Sequence, residues 1–117
     1  MEFDRLTILF LKRGTNPPEL GADAADALQD EHLAFLSSLH EGGQLAVAGP
    51  IVDEHESLRG ICLFTVGPEE ARALAERDPK VQQGVLEIEV LPWMVPAGAI
   101  TFARAAFPRS VAEADSD

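Results

Sequence analysis

The order of the hydrophobic patterns along the chain is the feature that most constrains its fold. Four runs of strand-like composition occupy, in order, residues 3–11, 44–52, 60–66 and 85–91. Between the first two runs, apolar side chains recur at three- and four-residue spacing over residues 22–41, which is typical of an amphipathic helix. A shorter helical pattern, opened by Gly67 and Pro68, separates the last two runs. The sequence therefore predicts the element order β-α-β-β-α-β.

This order predicts an α+β fold of the ferredoxin-like kind, in which two helices cover one face of an antiparallel four-stranded sheet. The runs at 44–52 and 60–66 are apolar on both faces of the pleat, which indicates that the second sheet face is covered as well. Face-to-face pairing of two sheets across a two-fold axis would cover it. We therefore expect a homodimer.

The charge of the chain excludes some classes of partner. With 20 acidic and 9 basic residues, the net charge of -11 repels phosphate backbones and anionic lipid headgroups, so neither nucleic acid nor a membrane is an expected partner. The chain contains no apolar run of transmembrane length, and its first residues lack the order of a secretory signal. The lone Cys62 lies in an apolar run and is interpreted as a core residue in a reducing compartment. The expected location is cytoplasmic.

His32 is the first candidate for chemistry. Helical spacing aligns it with Leu28, Phe35 and Leu36, which should face the sheet. Histidine suits general acid or base work because it titrates near neutrality. A core histidine whose ring is satisfied by hydrogen bonds explains the spacing equally well, so both interpretations stay open.

Asp78 is the second candidate. An aspartate before proline is a good helix N-cap, with Pro79 as the first residue of a short helical turn through Gln83. In a β-α-β-β-α-β fold the two helices lie side by side, so a residue at the end of the second helix can reach the first. A His32–Asp78 pair would then fix the tautomer of the imidazole.

Other features have both a structural and a functional interpretation. Gly49 and Pro50 indicate a sheet edge or a bulge, or else a close approach of ligand. Trp93 is either a packing anchor or a ligand-stacking wall. His40 is expected near the exposed end of the first helix, and His55 in a polar connection. No metal-ligand spacing and no glycine-rich phosphate or dinucleotide motif is present, so neither a metal nor another cofactor is expected.

An ordered set of short matches over residues 3–93 resembles the YciI-like (YCII-related) family. The matching segments are His32-Leu33, Gly43-Gln44-Leu45, Ala48-Gly49-Pro50, Gly60, Glu69-Glu70-Ala71, Asp78-Pro79, Gly84 and Pro92-Trp93. The resemblance implies a ferredoxin-like subunit that pairs into a dimeric α/β barrel, with a pocket between sheet and helices. It also implies that His32 and Asp78 are an active-site pair and that Gly49 and Pro50 lie in a stretch characteristic of the family. We expect Gly49, Pro50 and Trp93 at the substrate pocket.

The resemblance does not fix a substrate. Relatives include a dehydrochlorinase acting on a chlorinated hydroxyquinol, and the wider superfamily includes muconolactone isomerases, which implies proton chemistry without a cofactor. The loop at 14–22 is longer than in compact members, and the tail from Val95 to Asp117 has no counterpart in the shortest. We therefore expect a domain over residues 1–94 and a C-terminal extension over 95–117 that packs on the domain or on a dimer partner, with a frayed end from Ala112.

Three functions remain open at this point. The first is a cofactor-independent lyase or isomerase that uses the His32–Asp78 pair on a small organic molecule. The second is a non-catalytic dimeric module that binds a small ligand or a protein. The third is a structural dimer in which His32 is a satisfied core group.

Overall fold

The computed structural model of the protein describes residues 1–116, in which four antiparallel strands form one sheet in the order β2-β3-β1-β4. The elements in chain order are β1 (Phe3–Arg13), α1 (Ala22–Glu41), β2 (Leu45–Pro50), β3 (Leu58–Phe64), α2 (Pro68–Ala75), α3 (Pro79–Gln82), β4 (Leu86–Pro96) and α4 (Val111–Ala114). The predicted ferredoxin-like α+β fold is confirmed. No helix within residues 1–116 combines the length and the apolar character needed to cross a membrane.

The core lies between the sheet and its helices because β1 alternates strictly in burial. Thr7, Leu9 and Leu11 are buried, whereas the residues between them are only partly covered. On β3, Phe64 pairs with Thr7 and Cys62 pairs with Leu9, so both face the same side and are buried. This side of the sheet is called the inner face, and the opposite side the outer face.

The central helix α1 ends where its glycines predict. Gly42 caps the helix, and Gly43 adopts a φ of 84°, a left-handed conformation that glycine tolerates best. The amide of Gly43 donates to the carbonyl of His40, and the amide of Gln44 donates to that of Leu39. This pattern closes the helix and turns the chain directly into β2.

Two proline-containing strands form the edges of the sheet. Gly49 and Pro50 lie at the end of edge strand β2, as predicted, while the irregularity in its pairing lies between Leu45 and Val47. The predicted end of the last strand at residue 91 is wrong, since β4 continues to Pro96 and Pro92 pairs with Thr7. An edge strand tolerates proline because only one of its sides needs to join the hydrogen-bond ladder.

The loop after β1 is held against the start of β4 by a close backbone approach. The amide of Gly14 donates to the carbonyl of Val85 at 2.9 Å. A Cβ atom on Gly14 would lie 2.0 Å from the carbonyl oxygen of Gly84, so no larger residue fits there. This contact brings the loop with Pro17 to the mouth of the cavity described below.

The tail beyond β4 returns along α1. The Arg104 guanidinium donates to the carbonyl of Glu41 at 2.9 Å, and the amide of Val111 donates to Asp30 Oδ1 at 2.7 Å. A short helix, α4, stands where a frayed end is predicted from Ala112, and Asp117 lies outside the described residues. The tail therefore covers part of the first helix.

Candidate active site

A cavity of about 620 Å³ lies between the inner face of the sheet, α1, α3 and the tail. Its volume is in the range of pockets that bind small molecules. Apolar side chains from several elements make much of its wall, among them Leu11, Leu33, Leu36, Val85 and Phe107. The cavity is therefore suited to a ligand with an apolar body.

His32 projects from the middle of α1 toward α3 and lines this cavity. Its Nδ1 atom lies 2.7 Å from Asp78 Oδ2, and the side chains of both residues are almost completely buried. An aspartate carboxylate only accepts hydrogen bonds, so Nδ1 carries the proton of this bond. In the neutral ring, Nε2 is then left with its lone pair.

Asp78 holds its position through a second, local bond. Its backbone is extended (φ -60°, ψ 127°), and Oδ1 accepts from the amide of Lys80 at 3.0 Å, which caps α3 ahead of Pro79. The predicted N-cap is thus present, and the predicted short turn is α3. Because the two carboxylate oxygens have different partners, the cap fixes the direction in which Oδ2 meets His32.

The second ring nitrogen of His32, Nε2, differs from Nδ1 in its hydrogen bonding. No residue within 1–116 forms a hydrogen bond with Nε2. A lone pair in an apolar cavity, backed by a buried carboxylate that can stabilise an imidazolium, is the arrangement of a general base. The same ring, once protonated, can return a proton as an acid.

Three cations also line the cavity: Arg13 at the end of β1, Arg59 on β3 and Lys80 in α3. Burial lowers the pKa of the Lys80 ammonium, and the nearby Asp78 charge offsets part of that effect. No motif surrounds these residues in the sequence, and only the fold brings them together. They were not among the predicted site residues.

Cys62 reaches the cavity wall from the inner face, but its thiol is not a nucleophile at neutral pH. Burial, together with the charge of Asp78, raises its pKa to about 12. A thiol attacks as its thiolate, which is negligible at pH 7 for such a group. Cys62 is therefore part of the core, as predicted.

Of the other predicted pocket residues, Gly49 and Pro50 line the cavity and Trp93 does not. Trp93 pairs with Leu6 and is 39% exposed. Its neighbour Pro92 pairs with Thr7 on the inner face, so the alternation of the strand points Trp93 to the outer face. Its placement at the pocket of this subunit is corrected accordingly.

The prediction that His40 is exposed is also wrong. Its Nδ1 atom lies 2.8 Å from the carbonyl of Leu45, and its Nε2 accepts from the amide of Ala105 at 3.1 Å. Phe107 stacks on the ring with centroids 4.1 Å apart. The tail buries this end of α1, and His40 in turn anchors Phe107 at the cavity. His55 is exposed in its loop, as predicted.

The described residues contain no group of three histidine, cysteine, aspartate or glutamate side chains arranged to hold a metal ion.

The fold and the site define a class: a ferredoxin-like α+β protein with a buried histidine–carboxylate pair at a pocket between sheet and helices. Comparison with known families identifies the group within this class. The YCII-related domain matches residues 9–94, and the chain belongs to this family, so it is a YciI-like protein. A comparison with curated proteins gives no match. The matched range contains His32, Asp78 and all three cavity cations.

Proposed function

We propose that this YciI-like protein is a cofactor-independent enzyme of the lyase or isomerase type, in which His32 transfers a proton and Asp78 orients its ring. The observation that carries the proposal is the 2.7 Å contact between His32 Nδ1 and Asp78 Oδ2 beside a cavity of about 620 Å³. If His32 were purely structural, we would expect both of its ring nitrogens to be hydrogen-bonded within the protein. Instead, Nε2 forms no hydrogen bond within residues 1–116, and His32 lines the cavity.

The proposed reaction begins with proton abstraction. Nε2 removes a proton from a carbon or hydroxyl group of the bound molecule, and the Asp78 carboxylate stabilises the resulting imidazolium. In an isomerase the same proton returns to another atom of the substrate. In a lyase a leaving group departs with the electron pair. The apolar wall keeps water from competing for the proton.

The alternative is a non-catalytic module that binds a small ligand in the same cavity. The apolar lining and the cavity volume support binding, and they would be needed in both cases. The two functions differ in what they require of His32, because only the enzyme needs a basic Nε2. That difference is the basis of the test.

The test combines two measurements on the whole chain. Nitrogen-15 NMR of histidine-labelled protein should show His32 with its proton on Nδ1, and Asp78→Asn should shift the ring toward a mixture of tautomers. In D₂O, wild-type protein should introduce deuterium at carbon into members of a panel of small cyclic ketones and phenols. His32→Gln should abolish that exchange, and Asp78→Asn should slow it by roughly 10²-fold or more. The matched control is His55→Gln, because His55 is exposed in a loop, does not line the cavity and contacts the cavity residue Arg59 only through its backbone carbonyl.

A proton on Nε2 rather than Nδ1 would contradict the proposed base. Absence of carbon deuteration with any panel compound, together with an intact Nδ1–H tautomer, would assign the cavity to binding alone and favour the alternative.

We further propose that two copies pair through their outer sheet faces. Four large apolar side chains on this face are at least one-third exposed: Val47, Ile61, Leu91 and Trp93. We propose that a second copy of the chain covers the outer face, because the same face of that copy is equally apolar. The acidic surfaces elsewhere on two copies would repel each other.

A further inference from the structure

The cavity has a charge opposite to that of the protein around it. The chain carries a net charge of -11 with only 9 basic residues, yet Arg13, Arg59 and Lys80 all line this one cavity. No aspartate or glutamate within residues 1–116 lines it. The buried carboxylate of Asp78 lies behind His32 and is engaged by the imidazole and by the cap of α3.

Within residues 1–116 these three cations have no carboxylate partner at ion-pair distance, so an anion in the cavity would not have to displace one. Lys12 pairs with Glu89, and Arg109 pairs with Glu113. In the part of the chain that the structure describes, no ion pair includes Arg13, Arg59 or Lys80. Arg59 borders the acidic loop with Asp53, Glu54 and Glu56, and yet its guanidinium donates to the backbone carbonyl of His55 at 2.7 Å.

Lys80 is the most informative of the three. It is only partly exposed, and burial lowers the pKa of its ammonium group. An ammonium group held in a partly dry pocket without an ion-pair partner is unfavourable until an anion binds beside it. The backbone amide of Lys80 donates to Asp78 Oδ1. The turn that positions the His32–Asp78 pair therefore also holds Lys80 at the cavity wall.

We propose that the cavity binds a small organic carboxylate, whose charged group meets Arg13, Arg59 and Lys80 and whose apolar body lies against Leu33, Leu36 and Phe107. This inference rests on the proposed function, since it names the class of molecule presented to His32. Arginine suits such a ligand because its planar fork matches the two oxygens of a carboxylate.

A carboxylate fits the site better than a phosphate ester for two reasons. Phosphate groups often bind the free backbone amides at the start of a helix. At the start of α3 the amide of Lys80 already donates to the Asp78 carboxylate. The rest of the wall is largely apolar, so a dianion would lose more hydration than a monoanion on entering the cavity. The cations thus select the sign of the ligand, and the apolar wall limits how much negative charge the site accepts.

The test compares ligands that differ in charge and hardly in shape. Benzoate, benzamide and phenyl phosphate are titrated into uniformly labelled protein, and amide shifts at the cavity are followed by NMR. Benzoate should bind at least about tenfold more tightly than benzamide and more tightly than phenyl phosphate. Raising the salt concentration should weaken benzoate binding and leave benzamide unchanged.

Two variants locate the charge, and one serves as the control. Lys80→Gln and Arg13→Gln should each weaken benzoate binding about fivefold or more and leave benzamide binding unchanged. Arg72→Gln removes an exposed cation of α2 that does not line the cavity, so it should leave both affinities unchanged.

Equal affinity for benzoate and benzamide would overturn the proposal, as would loss of benzoate binding to the same extent in Arg72→Gln. Tighter binding of phenyl phosphate would exclude the carboxylate in favour of a phosphate ester. None of these results bears on the tautomer of His32, so failure of this inference is distinguishable from failure of the proposed function.

Discussion

At the scale of single residues, Asp78 shows how one carboxylate can serve two purposes. Oδ1 caps α3 through the amide of Lys80, and Oδ2 holds Nδ1 of His32. The sequence leaves the cap and the pair as alternatives, because a capping motif and a catalytic partner look the same along the chain. The structure shows both bonds in one side chain.

Removing either member of the pair should have unequal effects on stability. His32→Leu leaves the buried Asp78 carboxylate with one partner fewer, and we expect a loss of about 3 kcal/mol in the free energy of unfolding. Asp78→Asn keeps the size, the cap and a hydrogen-bond acceptor while removing the charge, so its cost should be about 1 kcal/mol. Urea unfolding of both variants and wild type measures the difference.

The matched control for these variants is Leu33→Ala, which shortens a side chain on the same helix at the cavity wall without exposing a charge. If Asp78→Asn proves as destabilising as His32→Leu, the pair depends on the charge of Asp78 more than on its hydrogen bonds, and the expected order is wrong.

The predicted residues that lie at the cavity or contact its histidine share a property. His32, Asp78, Gly49 and Pro50 occupy positions fixed by local rules of helix periodicity, capping and strand edges. Arg13, Arg59 and Lys80 come from three separate elements, and no local rule relates them. Trp93 lies on the outer face because β4 continues past residue 91, where the sequence pattern predicts its end, and the register of the added residues decides the face.

At the scale of elements, the order and approximate bounds of β1, α1, β2 and β3 follow from hydrophobic period and from turn residues. The continuation of β4 to Pro96 does not, because it depends on β1 offering a partner as far back as Phe3. The tail is similar. Its contacts with α1 pair residues up to 81 positions apart, and nothing in its composition indicates them.

The tail should depend on His40 for its position. His40→Ala removes the acceptor for Ala105 and the ring that stacks on Phe107, so trypsin should cleave after Arg104 about tenfold faster than in wild type. Phe107→Ala removes the stack alone and should increase cleavage by a smaller factor. Timed digestion with mass spectrometry measures both rates.

His55→Ala is the control for this digestion, because His55 is exposed and its hydrogen bonds are with Ser57, Leu58 and Arg59 of its own loop and the adjoining strand. Unchanged cleavage in both tail variants would show that the remaining bonds, at Glu41 and Asp30, suffice to hold the tail on α1. In that case His40 would be a core residue with no anchoring role.

At the scale of the whole molecule, charge and apolar surface are separated. The chain as a whole is acidic, the cationic cavity lies between the inner face of the sheet, α1 and α3, and the apolar side chains of the outer face lie on the opposite side of the sheet. The YCII-related match, from residue 9 to residue 94, covers most of the sheet and the His32–Asp78 pair and leaves the tail outside it. The outer face carries four large apolar side chains that are at least one-third exposed.

If the outer face joins two copies, a charge placed on it should separate them. Leu91→Asp places a carboxylate on the outer face of each copy, so a dimer related by a two-fold axis would bury two charges. We expect the dissociation constant of the dimer to rise about 100-fold or more. Sedimentation velocity at micromolar concentration measures this, with wild type as dimer and the variant as monomer. Val52→Asp is the control, since Val52 is 92% exposed outside the sheet and should leave the dimer intact. If the wild-type protein sediments as a monomer, the proposed pairing is wrong. The apolar outer face would then be exposed to water in the native state.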